Sequence, residues 1–291
     1  MRVFEAANVA GELDDRNLHA QADAKVRHPV LASVLRSQNL ALDATLTEAR
    51  ADLAKLFSAY GIKAIQLGES DSKLGGVETH NDARKCAELF KKHADEIDGV
   101  LVCLPNFGDE KGVADTLKLA GLKVPVLIQG YPDDPKQLMP SRRRDSFCGK
   151  ISVCNNLVQA GIKFSLTSKH VSHPTSDSFK RDLQKFLGVC RVVNGLRGVR
   201  LGAVGARPGA FNTVRYSEKI LERHGISVTT VDLSEIIGAA NKLDANAAAV
   251  KAKLAEITGY APAPGVPNDK LVQMAKMGVV LTDWMDANHL D

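Results

Sequence analysis

The 291-residue chain is poor in aromatic side chains, which make up 5% of it, and it has one tryptophan. Its five cysteines are an odd number, and their spacings match neither a disulfide framework nor a zinc motif. No apolar run is long enough to span a membrane, and the N-terminus lacks a basic segment followed by an apolar one. These absences argue against a secreted disulfide-rich protein and against a membrane protein, and they predict a reduced, cytoplasmic setting.

A strong excess of one charge is also missing. The formal net charge of +4 is spread along the chain, and the three consecutive arginines at residues 142–144 have few aromatic neighbours. A nucleic-acid-binding surface requires a longer basic stripe. The 44% hydrophobic and 25% charged residues are ordinary for a globular protein, so we expect no nucleic-acid partner.

The sequence lacks the spacing of a dinucleotide-binding loop. Residues 202–209, GAVGARPG, follow a G-x-x-G-x-x-x-G pattern, and Pro208 stiffens the loop where backbone must approach a pyrophosphate. A strand, a glycine-rich turn and a second strand ending at Asp232 reproduce part of that geometry, so a nicotinamide enzyme is a less favoured alternative. We interpret this turn as one in which Arg207 and Asn212 offer donors to an oxygen-rich ligand.

Apolar runs and amphipathic segments alternate along most of the chain. Strands are predicted at residues 62–67, 99–104, 124–128, 161–166, 199–204 and 226–231. Helices are predicted at residues 41–60, 82–96, 115–120, 151–158, 176–187, 211–223, 239–257 and from 268 onward. The first forty residues have no clear period. The alternation predicts an α/β fold of two Rossmann-like domains, residues 1–150 and 151–291, with parallel sheets flanked by helices.

Polar and aromatic residues follow two of the predicted strands. Asn106 and Phe107 come after the strand GVLVCL, and Gln129 and Tyr131 end the next strand. In open parallel sheets, ligands bind at the carboxyl ends of the strands. We therefore predict that these four residues contact a substrate; the alternative is that they are loop residues without a ligand.

Residues 141–157, SRRRDSFCGKISVCNNL, form a seam between the two halves. Its basic run enters a predicted helix, and Asp145 or Ser146 is placed to accept hydrogen bonds from the first turn. The candidate site residues of this seam are Arg143, Arg144, Asp145 and Lys150. The same local sequence also fits a solvated basic loop that leads into a helix.

Metal ligands do not converge in this sequence. His170 and His173 have the spacing of one helix face, but Pro174 and β-branched neighbours favour a loop. Carboxylates and imidazoles must converge to hold a divalent ion. We therefore assign no metal ligand within residues 1–291.

Four motifs together resemble the L-fucose isomerase-like branch of the L-fucose/L-arabinose isomerase superfamily. They are the seam sequence, VCRVVNGLR at 189–197, GAVGARPGAFNTVRYSEK at 202–219 and VDLSEI at 231–236. The resemblance covers most of residues 41–291. It implies an aldose–ketose isomerase with two Rossmann-like N-terminal domains and a C-terminal domain, assembled as a homo-oligomer.

The resemblance also implies a mechanism and site roles. In the family a divalent ion, usually Mn²⁺, holds two neighbouring sugar oxygens, and acidic residues move protons through an ene-diol. The first domain lends an aromatic and a glutamine across a subunit boundary, and Phe107 and Gln129 match these best. Arg207 and Asn212 occupy a turn that faces the active site in the family.

The family's metal-binding acids and histidine follow the region matched here. The chain is thus expected to correspond to the N-terminal two-thirds of an isomerase whose natural product continues past Asp291. Alone, it is expected neither to hold Mn²⁺ tightly nor to convert sugar. The alternative function is a non-catalytic two-lobe module that binds a sugar or sugar acid. The sequence specifies neither the sugar nor the number of subunits.

Overall fold

The computed structural model describes residues 28–35, 43–139 and 143–291. The chain divides into two compact units, which meet between Cys190 and Arg191. Both units are α/β, as the sequence predicts, with parallel sheets and flanking helices. The predicted lead-in at residues 141–142 and most of the first forty residues lie outside the described residues.

The first unit is built on a five-stranded parallel sheet with the order β2-β1-β3-β4-β5. Its strands are β1 (Val30–Leu35), β2 (Lys63–Ile65), β3 (Gly99–Leu104), β4 (Val126–Gly130) and β5 (Ser165–Leu166). Its helices are α1 (Asp43–Ala59), α2 (His80–Lys92), α3 (Gly112–Ala120), α4 (Ser146–Gln159) and α5 (Asp177–Gly195). The strand order reverses between β1 and β3, the point at which such sheets bind ligands.

Strand β3 explains why this sheet lies between two layers of helices. All six of its residues are buried, as expected for a parallel strand covered on both faces. Val102 packs on the face covered by α2, α3 and α4, whereas Leu101 packs on the face covered by α1 and α5. Gly99 permits the approach of α5, because a Cβ there would lie 2.5 Å from the Cys190 sulfur.

Strand β1 is the main element that the periodicity misses. The sequence predicts no element before residue 41, yet β1 pairs with both β2 and β3 near the centre of the sheet. Its sequence, VLASVL, is buried throughout. A continuous apolar run of six residues is compatible with either a strand or a buried helix, so only its pairing identifies it.

The second unit contains a two-stranded parallel sheet and four α-helices. Its elements are β6 (Arg200–Val204), α6 (Glu218–Arg223), β7 (Ser227–Val231), α7 (Leu233–Lys242), α8 (Ala248–Tyr260) and α9 (Asn268–Ala287). Helix α9 packs on α7 and α8, around Val250, Ala275 and Val279. Gly202 lets α9 approach β6, since a Cβ there would lie 2.6 Å from the Trp284 ring.

Two predicted helices of this unit are wrong in extent. The predicted helix 211–223 is a 3₁₀ turn, Asn212–Val214, followed by the short helix α6. The predicted helix 239–257 is divided between α7 and α8 by the segment at residues 243–247. There the amide of Asn246 bonds to the Asp244 carboxylate, a local turn that competes with a continuous helix.

The central position of β3 predicts a large stability effect from one truncation. Leu101→Ala removes a side chain that is fully buried, and we expect a loss of about 2–5 kcal/mol in the free energy of unfolding. Leu119→Ala on α3, where the side chain is 37% exposed, is the control and should cost less than about 1 kcal/mol. Urea unfolding measures both; equal losses would contradict this account of the core.

Candidate functional site

The carboxyl edge of the first sheet brings the predicted strand-end residues together. Strands β3 and β4 are neighbours in register, with Cys103 opposite Gln129. Asn106, Gln129 and Tyr131 have fully buried side chains, and Phe107 is half-buried. The four residues therefore share one edge of the sheet, with Phe107 the most accessible of them.

The seam loop ties the two strand-end loops to each other. The Arg144 carbonyl accepts from the Phe107 amide at 2.6 Å, and the Arg144 guanidinium donates to the Pro105 carbonyl at 3.1 Å. The amides of Arg144 and Asp145 donate to one Asp133 oxygen, at 2.7 and 3.0 Å. The seam is thus an ordered part of this edge.

Asp145 does not cap α4 as expected. It precedes the helix in the left-handed region, with φ +56°, and its carboxylate pairs with Arg143 at 3.2 Å. Ser146 begins the helix, and its buried hydroxyl has no hydrogen-bond partner among the described residues. Aspartate tolerates this backbone region better than most residues, and the contacts to Asp133 hold it there.

Beneath the seam lies a network centred on Asp52 of α1. Its carboxylate accepts from the Tyr131 hydroxyl at 3.1 Å and contacts His173 Nε2 at 3.2 Å. The rings of Tyr131 and His173 meet edge to face, with 5.0 Å between their centroids. Burial, with a smaller contribution from Asp52, raises the pKa of Tyr131, so its hydroxyl stays a donor.

Arg144 completes this network from above. Its guanidinium carbon lies 4.8 Å from the centroid of the Tyr131 ring, within the range of a cation–π contact. The same guanidinium forms an ion pair with Glu48 of α1. The side chain of Arg144 is only 15% exposed, so these contacts are partly shielded from water.

Glu48, Asp52 and His173 are the described residues whose donor atoms converge closely enough to suggest a metal ion. Each already has a partner: Arg144 on Glu48, Tyr131 on Asp52, and Thr175 on His173 Nδ1 at 2.8 Å. A divalent cation would have to displace a guanidinium and share its space. The group does not fit an Mn²⁺ site and is better described as an ion-pair network.

The Gln129 side chain faces the interior rather than solvent. Its amide nitrogen donates to the Ser172 carbonyl at 2.7 Å, and the Ser172 amide donates to the Gly130 carbonyl at 2.9 Å. The Gln129 carbonyl oxygen is buried without a hydrogen-bond partner among the described residues. Gln129 therefore anchors the 171–173 loop and keeps one acceptor unused.

Lys150 of α4 is a fully buried amine. It donates to Thr167 Oγ1 at 2.7 Å and to the His170 carbonyl at 2.8 Å, both uncharged acceptors. Burial outweighs the attraction of Asp182 and lowers the pKa of Lys150 to about 8. The predicted seam residue thus fastens α4 to the loop after β5.

The remaining predicted residues, Arg207 and Asn212, belong to the second unit. Both are exposed on the turn between β6 and α6. Arg207 lines a cavity of about 740 Å³ at the carboxyl ends of β6 and β7. Its contacts are described with that cavity below.

Sequence reasoning missed Glu48, Asp52 and Asp133 as parts of the site. The first two lie on the polar side of the amphipathic helix α1, where acidic residues are ordinary, and Asp133 is one of two aspartates in a loop. His173 is predicted as a loop residue that binds no metal, and its contact is with Asp52. No spacing pattern marks these residues, because their contacts span more than 75 positions.

Arg144→Lys tests the seam, because lysine keeps the charge and loses the fork that reaches two acceptors. We expect a loss of about 1–3 kcal/mol in the free energy of unfolding and faster hydrogen exchange at the Phe107 amide. Arg181→Lys, an exposed position on α5, is the control. If both variants lose the same stability and the Phe107 amide is unaffected, Arg144 does not hold the edge.

Lys150 predicts a pH dependence. Its folded pKa, about 8, lies below the ordinary lysine value of 10.5, so the unfolded chain binds more protons between these values. The burden on stability is complete below pH 8 and disappears as pH rises toward 10.5. The free energy of unfolding, measured in urea, should rise with pH over this window more steeply than for Lys150→Met. Lys163→Met, at an exposed position, should retain the wild-type slope.

In the described residues no helix has both the length and the apolarity to cross a membrane. A comparison with protein-family models matches residues 34–197 to the fucose/sulfoquinovose isomerase N-terminal domain. No curated protein matches the chain. The family match covers more than half of the chain, includes the whole carboxyl edge and agrees with the resemblance inferred from the motifs. The chain therefore belongs to the fucose/sulfoquinovose isomerase family, of which it carries the N-terminal domain.

Proposed function

We propose that this chain is the N-terminal, sugar-contacting part of a metal-dependent aldose–ketose isomerase. The family match over residues 34–197 is the observation that carries the proposal. The carboxyl edge supports it, since predicted substrate residues from two strand ends gather there. Such an edge is where open α/β sheets bind ligands.

Phe107 is the residue proposed to touch the sugar most directly. Its ring is half-buried, and its amide is held by the Arg144 carbonyl, so the loop is positioned before the ligand arrives. An aromatic face offers an apolar surface to the C–H groups of a sugar. Arg143, whose side chain is 49% exposed, offers guanidinium donors to sugar oxygens.

Asn106, Gln129 and Tyr131 have positioning roles in this proposal. The Asn106 amide donates to Thr45 Oγ1 at 2.8 Å, Gln129 holds the 171–173 loop, and Tyr131 bonds to Asp52. Rigid support of this kind lowers the entropy that ligand binding must overcome. These side chains thus shape the edge on which Phe107 is presented.

Mn²⁺ is proposed as the ion of the complete enzyme, where it would polarise neighbouring sugar oxygens during ene-diol formation. The described residues provide no fitting ligand set, so we assign none of them to the ion. The contribution of this chain is to bind and orient the sugar. Proton transfer is proposed to belong to acidic residues outside the matched domain.

A homo-oligomer and a cytoplasmic setting complete the proposal. Helix α4 exposes Phe147, Ile151 and Val158 on one stripe, at 49%, 51% and 67%, which suits a subunit contact. All five cysteines are free thiols, in keeping with a reducing compartment. In this arrangement the carboxyl edge serves an active site at a subunit boundary.

Sugar binding by the chain tests the proposal. Phe107→Ala should weaken the binding of L-fucose or L-arabinose about tenfold, followed by NMR shifts of amides at residues 105–108, with a small change in melting temperature. Tyr60→Ala is the matched control, because this half-buried aromatic precedes β2 at the opposite edge. EDTA and Mn²⁺ should leave the affinity of this chain unchanged.

Failure would take a clear form. Loss of melting temperature without loss of affinity in Phe107→Ala would make Phe107 a packing residue. If the chain joined to a C-terminal isomerase domain binds sugar but shows no Mn²⁺-dependent conversion, the non-catalytic sugar-binding module becomes the better description.

A further inference from the structure

The cavity of the second unit carries an inference about the ligand. It lies at the carboxyl ends of β6 and β7, and its volume of about 740 Å³ falls in the usual range for small-molecule sites. Three basic residues line it: Arg207, Arg215 and Lys219. Only Arg207 was predicted from the sequence.

The two arginines are held in place by the turn itself. Arg207 Nη1 donates to the carbonyls of Pro208 and Gly209, both at 3.2 Å, and Arg215 Nε donates to the Asn212 carbonyl at 3.2 Å. A guanidinium has five N–H donors. Each arginine therefore retains several donors, and each is oriented without being neutralised.

No carboxylate lies within 4.0 Å of the three cations in the part of the chain that the structure describes. Glu218 and Glu222 line the same cavity, yet neither forms an ion pair with Arg207, Arg215 or Lys219. The two acids are four residues apart on α6, so they share one side of that helix. The arginines instead come from the turn, which gives the cavity a basic region distinct from the acidic side.

The rest of the lining suits a polyol. Tyr216, Ser217 and Thr230 bring hydroxyl groups to the cavity. Hydroxyls both donate and accept, as sugar hydroxyls require. Uncompensated guanidinium groups beside hydroxyls form a surface that fits a charged sugar better than a neutral one.

We propose that Arg207, Arg215 and Lys219 form a subsite for the tetrahedral oxyanion, sulfonate or phosphate, of a charged sugar. Guanidinium forks match the paired oxygens of such groups and bind them through charge-assisted hydrogen bonds. This inference rests on the proposed function and narrows its substrate class. A dinucleotide pyrophosphate has the same chemistry, and the test includes it as a rival.

The test uses three matched aldohexoses: the 6-phosphate, the 6-sulfonate and the uncharged 6-deoxy sugar. Isothermal calorimetry on the whole chain measures affinity, and amide shifts at residues 205–219 locate the site. We expect the better charged sugar to bind at least about tenfold tighter than the uncharged one. The preference should shrink between 50 and 500 mM NaCl, because salt screens exposed charges.

Arg215→Gln and Lys219→Gln should each weaken binding of the charged sugar about 5- to 10-fold and leave the uncharged sugar unaffected. Lys242→Gln on α7, exposed and outside the cavity, is the matched control and should change neither. All three positions are exposed, so melting temperatures should stay constant. The ratio of phosphate to sulfonate affinity identifies which oxyanion the subsite prefers.

Three outcomes would overturn the subsite. Equal affinity for charged and uncharged sugars, still sensitive to Phe107→Ala, would reject it while leaving the proposed function intact. Unchanged affinity in both glutamine variants would reject the assigned residues. Binding of NAD⁺ or inorganic phosphate at residues 205–219, with no sugar binding anywhere, would reject a sugar ligand and the proposed function together.

Discussion

The guanidinium group of Arg144 joins three parts of the first unit at the carboxyl edge of its sheet. It donates to the loop after β3, pairs with Glu48 of α1 and lies over the ring of Tyr131 after β4. The backbone beside it bonds to both strand-end loops. Because one rigid, always-charged fork makes these contacts at once, the loops that present Phe107 are held before any ligand arrives.

This edge satisfies most of its buried polar groups by connecting them to each other. Tyr131, Asp52 and His173 form one chain of contacts, and Gln129 and Lys150 hold the loops that follow β4 and β5. Buried polar groups cost free energy unless they are paired, so such a network specifies one arrangement of the loops. The acceptor left unused on Gln129 is an exception, and buried exceptions of this kind concentrate where ligands or water bind.

The two units handle charge in opposite ways. In the first, the acidic side chains of α1 are matched by Arg144 and His173. In the second, the cations of the turn after β6 have no such partner within the described part of the chain, although acids line the same cavity. Paired charges stabilise a fold, whereas unpaired and oriented ones favour a ligand of opposite sign. On this basis, a positioning role suits the first site and charge recognition suits the second.

The sequence by itself determined the α/β class, the parallel strands β3 and β4, the amphipathic helix α1 and the family, because apolar periodicity and long ordered motifs are local properties of the chain. It also identified Phe107, Gln129 and Arg144 as candidate site residues, since strand ends and the seam are visible in the order of residues. Tertiary structure alone decided that β1 lies near the centre of the sheet, that Gln129 is buried, and that Asp52 and Arg215 belong to sites. The reason is physical: strand pairing, burial and ion pairing depend on residues far apart in sequence, and the folded chain alone brings them within contact distance.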